Sequence, residues 1–281
     1  MLFKGRRQSS NVMDFRGGGG GGMKFKGGII GTAVIALIVW IMGGDPMSVL
    51  QDVTSPQQSS NVATPVAGDD EMGEFVKVVL ADTEDVWNKL FKEAGEIYRE
   101  PTLVLFNSSI RSACGNAQSS SGPFYCPADE RVYIDLDYLQ LLQQRLGAEG
   151  DFAVAYIIAH EVGHHVQKLI GATNHLDRLR ASGASESQIN EMSVRTELQA
   201  DFLAGVWVYH AQRMKNFLEQ GDLEEALNAA VAVGDDKIQQ STQGHISPDS
   251  FTHGTAAQRK SWLKKGMETG DIGQGDTFSD L

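Results

Sequence analysis

The chain has 281 residues, of which 41% are hydrophobic and 21% are charged. This composition is typical of a globular protein and excludes a disordered, collagen-like or coiled-coil chain. The length is sufficient for one large domain or two small ones with a buried core. The net charge of −12 disfavours a nucleic-acid partner.

The charges are unevenly distributed around one uncharged stretch, Gly27–Gly44. Residues 1–28 contain six basic residues and one acidic residue, whereas the rest of the chain has a net charge of −17. As a helix, the uncharged stretch would be about 27 Å long, close to the hydrocarbon thickness of a bilayer. We therefore predict an uncleaved transmembrane anchor with a cytoplasmic N-terminus and an exported domain. The apolar centre, Ile29–Met42, also fits a cleaved signal peptide, although no A-x-A-like cleavage site follows it.

Four regions follow from this pattern. We predict a basic, glycine-rich and disordered cytoplasmic tail over residues 1–26 and a transmembrane anchor over residues 27–44. A polar linker rich in Ser, Gln, Thr and Pro follows over residues 45–70, and one folded domain over residues 71–281.

The folded domain is predicted to begin with a helix near Glu71, where apolar residues recur at helical spacing. Two strands follow, Thr102–Phe106 and Arg131–Leu136. The rest reads as helices, and Asp137 and Asp151 are the predicted N-caps of the first two. These helices are predicted from Asp137 to Leu146, Asp151 to Ile170, Glu186 to Glu219, Leu223 to Val233, and after His253. Strands followed by helices predict an α+β fold, a small sheet against a predominantly helical bundle.

The two cysteines, Cys114 and Cys126, flank a loop rich in Gly and Ser. In an oxidising compartment they would most simply form a structural disulfide. A metal site with two cysteines is the alternative, but the other soft ligands that it needs are not beside them.

The helix predicted from Asp151 contains an H-E-x-x-H motif, residues His160 to His164. Residues i and i+4 share one face of a helix, so both imidazoles can bind one ion. Glu161 lies one position further round, where it can take a proton from a water on the metal. An apolar run, Phe152–Ala159, precedes the motif and indicates a buried helix. The pattern predicts one Zn²⁺ per chain.

A catalytic zinc site needs a third protein ligand and an open position for water. Glu197, 33 residues after His164, is the candidate ligand. Asp201 lies four residues later and would accept a hydrogen bond from the distal nitrogen of a ligand histidine, preferably His160. A solvated acidic pair is the alternative, but the neighbouring residues are apolar. Small residues would let the two helices approach closely: Gly163, Ala200, Ala204 and Gly205.

These two motifs together resemble the gluzincins, zinc hydrolases whose third ligand is a glutamate. More narrowly, the chain resembles the bacterial neutral zinc metallopeptidase family. The segments that carry the resemblance are GRRQSSNVMDFR, the apolar stretch, SACG…GPFYCP, VYIDL, AHEVGHHVQ, ELQADFLAG and THGTAAQR. The resemblance implies a zincin-like domain anchored in the bacterial inner membrane and facing the periplasm. It also implies zinc bound by His160, His164 and Glu197, with Glu161 as the general base.

Other polar residues have weaker patterns. His165 points about 100° away from the ligand face of the helix and is interpreted as a supporting or packing residue. His253 precedes the last helix and is a candidate catalytic residue that would stabilise the oxyanion; a capping role is the alternative. Tyr156 and Tyr209 are more typical of core aromatics.

The predicted reaction is hydrolysis of peptide bonds in envelope proteins or peptides. Zinc would lower the pKa of a water towards about 7 and polarise the carbonyl, and Glu161 would pass the water's proton to the leaving amine. By analogy with zincins, Arg131–Leu136 is the predicted edge strand for an extended substrate. A non-catalytic or latent zinc protein that binds or assembles envelope proteins is the alternative; a structural site, however, needs no base. An adaptor whose motif is accidental is a third hypothesis. No oligomeric state is predicted.

Overall fold

The computed structural model describes residues 1–16, 71–118, 122–139, 141 and 150–279. The predicted anchor and linker, residues 27–70, lie outside these ranges. Within the described ranges, no helix has both the length and the apolar character needed to cross a membrane.

The described chain is mostly helical with a small sheet, and it therefore has the predicted α+β class. In chain order, strands β1 to β6 are Val12–Asp14, Thr102–Phe106, Ser109–Ser112, Gly115–Gln118, Phe124–Cys126 and Arg131–Asp135. Helices α1 to α7 are Glu71–Glu93, Asp151–Leu169, Asn174–Ser182, Glu186–Lys215, Asp222–Ala232, Asp235–Gln243 and Ala256–Thr269. Short 3₁₀ turns cover Pro248–Ser250 and Ile272–Gln274, and residues 136–139 and 141 are helical.

The main sheet has four strands in the order β1-β2-β6-β5. Strands β1, β2 and β6 are parallel, and β5 pairs antiparallel with β6. The predicted strand Arg131–Leu136 is therefore an inner strand, and its prediction as the edge strand is wrong. Among the described strands, the edge strand beside β6 is β5, Phe124–Cys126, and β1 lies at the opposite edge. Strands β3 and β4 form a separate antiparallel hairpin, and Cys114 after this hairpin's first strand is joined to Cys126 of β5 by a disulfide.

Residues 1–16 pack against the folded domain. Strand β1 lies at the edge of the sheet beside β2. Arg6 Nη2 lies 2.6 Å from both carboxylate oxygens of Asp82, and Arg7 Nη1 lies 2.8 Å from Glu84 Oε2. Both acids are on α1 and are only 1% and 2% exposed, so the arginines neutralise buried charges. The prediction of a disordered tail is wrong for residues 1–16.

The first residue also has a buried position. The Met1 side chain is in the core, and its ammonium group lies 2.6 Å from Asp151 Oδ1 and 3.4 Å from Asp222 Oδ1. The carboxylates of Asp151, Asp222 and Glu225 lie close enough together to hold one cation. The ammonium group of the chain is the cation beside them.

Helix α2 passes through the core and packs against α1, α4 and α5. A Cβ on Gly163 of α2 would lie 3.0 Å from the carbonyl oxygen of Ala200 on α4, so these small residues permit close approach, as predicted. Gly205 has a different role: its Cβ would lie 2.2 Å from the Leu263 carbonyl oxygen. It therefore sets the contact between α4 and α7.

The predicted N-caps differ from those observed. Asp135 Oδ1 accepts from the backbone N–H of Asp137 at 2.9 Å, so Asp135 caps the helical turn that follows β6. Gly150 occupies the N-cap position of α2, and the Asp151 carboxylate instead accepts from the ammonium group of Met1.

Candidate metal centre

Two helices that pack antiparallel to each other, α2 and α4, position the residues of the site. Helix α2 carries His160, Glu161 and His164, and α4 carries Glu197 and Asp201. In both helices the key residues are four positions apart and share a face. The contact at Gly163 brings the two faces together.

The two histidines and Glu197 converge on one point. His160 Nε2 lies 3.1 Å from Glu197 Oε2, and His164 Nε2 lies 3.4 Å from Glu197 Oε1. The three ligand atoms all lie within 4.8 Å of one another. Two imidazoles and one carboxylate are the protein ligands of a class of catalytic zinc sites, in which water or substrate takes the fourth position.

The other ring nitrogen of each histidine has a hydrogen-bond acceptor. His160 Nδ1 lies 2.9 Å from Asp201 Oδ1, and His164 Nδ1 lies 2.9 Å from Gln167 Oε1. These partners assign the proton to Nδ1 in both rings. Each Nε2 lone pair is then directed towards the other ligands, which is the arrangement that zinc needs.

Asp201 is a fully buried acceptor for several donors. Besides His160, its carboxylate accepts from the Tyr156 hydroxyl at 2.6 Å and from Arg259 Nε and Nη2 at 2.8 and 2.9 Å. Arg259, on α7, is only 4% exposed. The sequence pattern indicated Asp201 but not Arg259. The available signal was the position of Arg259 in THGTAAQR, one of the segments that carry the family resemblance. Tyr156 supports Asp201, so it has more than the packing role that was predicted.

The electrostatics of the site favour a cation. Burial alone would lower the pKa of His160, but the carboxylates of Asp201 and Glu197 raise it to about 10. Burial would raise the pKa of Glu197, yet His164 and His160 hold it well below its usual range. The Asp201 pKa is about 2, because Arg259 and His160 outweigh burial. A site with this negative potential and two imidazoles suits a divalent metal.

Glu161 is a buried residue beside the candidate ligands. It is 8% exposed, and no described residue donates a hydrogen bond to its carboxylate. It lines a cleft of about 420 Å³ together with all three candidate ligands. A carboxylate in this position is available to water or substrate.

The same cleft contains His253 and the edge strand of the sheet. Its other lining residues are largely apolar or aromatic and include Phe124, Tyr125, Tyr138, Ile157, Val233 and Ile238. The His253 side chain is 50% exposed. Asp235 accepts from three backbone N–H groups of this loop, those of residues 252–254, and its Oδ1 lies 3.4 Å from His253 Nδ1. This hydrogen bond raises the pKa of His253 despite burial.

Two further predicted residues lie away from the metal ligands. His165 is fully buried, and its Nδ1 lies 2.9 Å from the hydroxyl of Tyr125 while its Nε2 bonds the Arg99 carbonyl. His165 thus supports the edge strand, a contact that the sequence did not reveal. Tyr209 does not line the cleft and instead stacks under Arg213.

Comparisons with known proteins identify the family of the chain. Residues 1–278 match the family model described as "Putative neutral zinc metallopeptidase". The chain is 46% identical over 288 residues to the uncharacterized protein YpfJ of Escherichia coli K12, covering 99% of each chain. It is 43% identical over 215 residues to the uncharacterized protein Rv2575 of Mycobacterium tuberculosis, covering 73% of this chain and 71% of that one. No solved structure matches. The chain belongs to the neutral zinc metallopeptidase family.

Proposed function

We propose that this protein is a zinc-dependent peptidase with one Zn²⁺ bound by His160, His164 and Glu197. The observation that carries the proposal is the orientation of the ligand side chains. Each histidine commits Nδ1 to a protein acceptor and turns Nε2 towards Glu197, while Glu161 faces the same open cleft. The helix pair beside a small sheet supports a zincin-like description of the domain.

The mechanism assigns one role to each residue. His160, His164 and Glu197 would hold the zinc ion, which would supply Lewis-acid chemistry for water and for the substrate carbonyl. Glu161 accepts the proton of the attacking water and delivers it to the leaving amine. His253, held by Asp235, donates a hydrogen bond to the oxyanion. Asp201 keeps the ring of His160 oriented.

The substrate is proposed to bind along β5. Tyr125 and Phe124 of this edge strand line the cleft with Glu161, and among the described strands it pairs only with β6. An extended peptide can add to such an edge through backbone hydrogen bonds. The apolar lining favours uncharged side chains beside the scissile bond.

The deciding experiment compares wild-type protein with Glu161→Gln. We expect both to bind one equivalent of zinc, because Glu161 is not a ligand, and only the wild type to generate new protein N-termini in an envelope extract. Glu186→Gln, on the exposed first turn of α4, is the matched control and should be fully active. Zinc in both proteins with no new termini from the wild type would favour a non-catalytic binding role instead.

We also propose attachment to the bacterial inner membrane through Gly27–Gly44, with the domain and its substrates in the periplasm. The predicted single crossing with a cytoplasmic N-terminus would separate residues 1–16 from the domain, yet they share one sheet, so we do not retain that crossing. The proposal therefore places both on the same side of the membrane. Ser10→Cys and Ile97→Cys provide exposed positions on the two parts. A membrane-impermeant maleimide should label both in intact spheroplasts; labelling of only one would contradict the proposal.

A further inference from the structure

A chain of neutral amides extends from His164 to the C-terminal segment. Gln167 Oε1 lies 2.9 Å from His164 Nδ1, and Gln167 Nε2 lies 2.7 Å from the Thr196 carbonyl oxygen and 3.0 Å from Gln199 Oε1. Gln199 Nε2 in turn lies 3.0 Å from the Gly275 carbonyl oxygen. We call Gln167 and Gln199 the amide relay.

The relay has only one consistent direction. A backbone carbonyl oxygen can accept a hydrogen bond but cannot donate one. The Gly275 carbonyl therefore fixes the amide of Gln199, and the Thr196 carbonyl fixes the amide of Gln167. The oxygen of Gln167 must face His164, whose Nδ1 must then carry the proton.

The far end of the relay is firmly held. A Cβ on Gly275 would lie 2.4 Å from the Phe202 ring, so the segment passes close over α4. Two hydrogen bonds clasp it there: Thr277 Oγ1 donates to the Arg195 carbonyl at 2.7 Å, and Arg195 Nη1 donates to the Thr277 carbonyl at 3.0 Å. The carbonyl that orients Gln199 is thus fixed in place.

We propose that Gln167 is the positioning residue of His164 and that Gln199 acts through it. This inference rests on the proposed zinc site. Gln167 is fully buried and Gln199 is 8% exposed, so water has little access to replace a missing partner. The two ligand histidines have different support: a charged Asp201 and Arg259 pair for His160, and neutral amides for His164. The neutral support adds no further charge to a buried site that already holds Glu197 and Asp201.

The test measures zinc affinity and ligand geometry rather than turnover. Gln167→Met keeps the chain length but removes the acceptor, so we expect zinc to bind about 10–100-fold more weakly in a chelator competition with the full-length protein. The visible bands of the Co²⁺-substituted protein should also change, because His164 is free to rotate. Gln212→Met, at the far end of α4, is the control: it loses bonds to two backbone N–H groups but should retain zinc affinity.

A double-mutant cycle tests the order of the relay. Gln199→Met should weaken zinc binding less than Gln167→Met and should add nothing in the Gln167→Met background. Additive losses would overturn the relay. If Gln167→Met binds zinc within about threefold of the wild-type affinity and its Co²⁺ bands are unchanged, this inference is wrong but the proposed function stands. Failure of the wild type to bind zinc would overturn the proposed function as well.

Discussion

Asp201→Asn should lower the free energy of unfolding far more than the removal of a surface charge does. The carboxylate accepts from His160, from the Tyr156 hydroxyl and twice from Arg259. If the amide oxygen of Asn replaced Oδ1, its NH₂ group would face Arg259 Nε–H at the 2.8 Å position, donor against donor. Arg259 would also lose its buried counter-charge. Breaking a buried pair in this way costs about 3–5 kcal/mol.

The loss should be visible in the metal-free protein. For a domain of this size, about 3–5 kcal/mol corresponds to a Tm decrease of roughly 6–20 °C, measured by circular dichroism or calorimetry after chelation. Zinc affinity should also decrease about 10–100-fold, because a neutral amide oxygen replaces the charged carboxylate that orients His160. Glu93→Gln, in an exposed pair with Lys89, is the control and should change stability by less than about 1 kcal/mol. A Tm within about 2 °C of wild type for Asp201→Asn would refute the buried-pair reasoning.

Three other changes test separate features. Asp235→Asn should lower the raised pKa of His253 towards its ordinary value of 6.5. If His253 stabilises the oxyanion as an imidazolium, which is present only below its pKa, the alkaline limb of kcat/KM should move to lower pH. An unmoved limb would contradict this role of His253. Gly205→Ala should force α4 and α7 apart and destabilise the protein by about 1–3 kcal/mol, whereas Gly273→Ala, whose Cβ would meet only a side-chain oxygen at 3.3 Å, should unfold close to the wild-type temperature. Deletion of residues 1–16 should leave the buried carboxylate of Asp82 without its arginine and lower the Tm by roughly 10 °C; an unchanged Tm would show that the segment contributes nothing to stability.

The local patterns in the sequence predicted local structure well. Strand β2 has the predicted bounds, and α1, α2 and α5 agree with the predicted helices to within about two residues. Spacing along a helix placed His160 and His164 on one face, since helical periodicity needs no information from elsewhere in the chain. Helices α3 and α6 were missed because few of their residues are apolar, and only one residue of each is buried.

Features that depend on distant partners were not predicted. Strand β5 has only three residues, and its place at the edge of the sheet depends on how β6 pairs with β2. Asp82 and Glu84 interrupt the apolar pattern of α1, which could have indicated a buried cationic partner; their arginines, however, lie more than 70 residues earlier in the chain. Gln167 follows the motif by only three residues, but its role depends on Thr196 and Gln199 of another helix.

The docking of residues 1–16 has a consequence for how the chain folds during synthesis. The Leu2 backbone N–H donates to the Phe217 carbonyl oxygen at 2.8 Å, so Leu2 leaves the ribosome more than 200 residues before its partner. Strand β1 must likewise wait for β2. Such long-range contacts form late and slow the folding of a domain. Residues 1–16 are made before the partners that hold them and are therefore among the last to be placed, and β2 has an open edge until they pair with it.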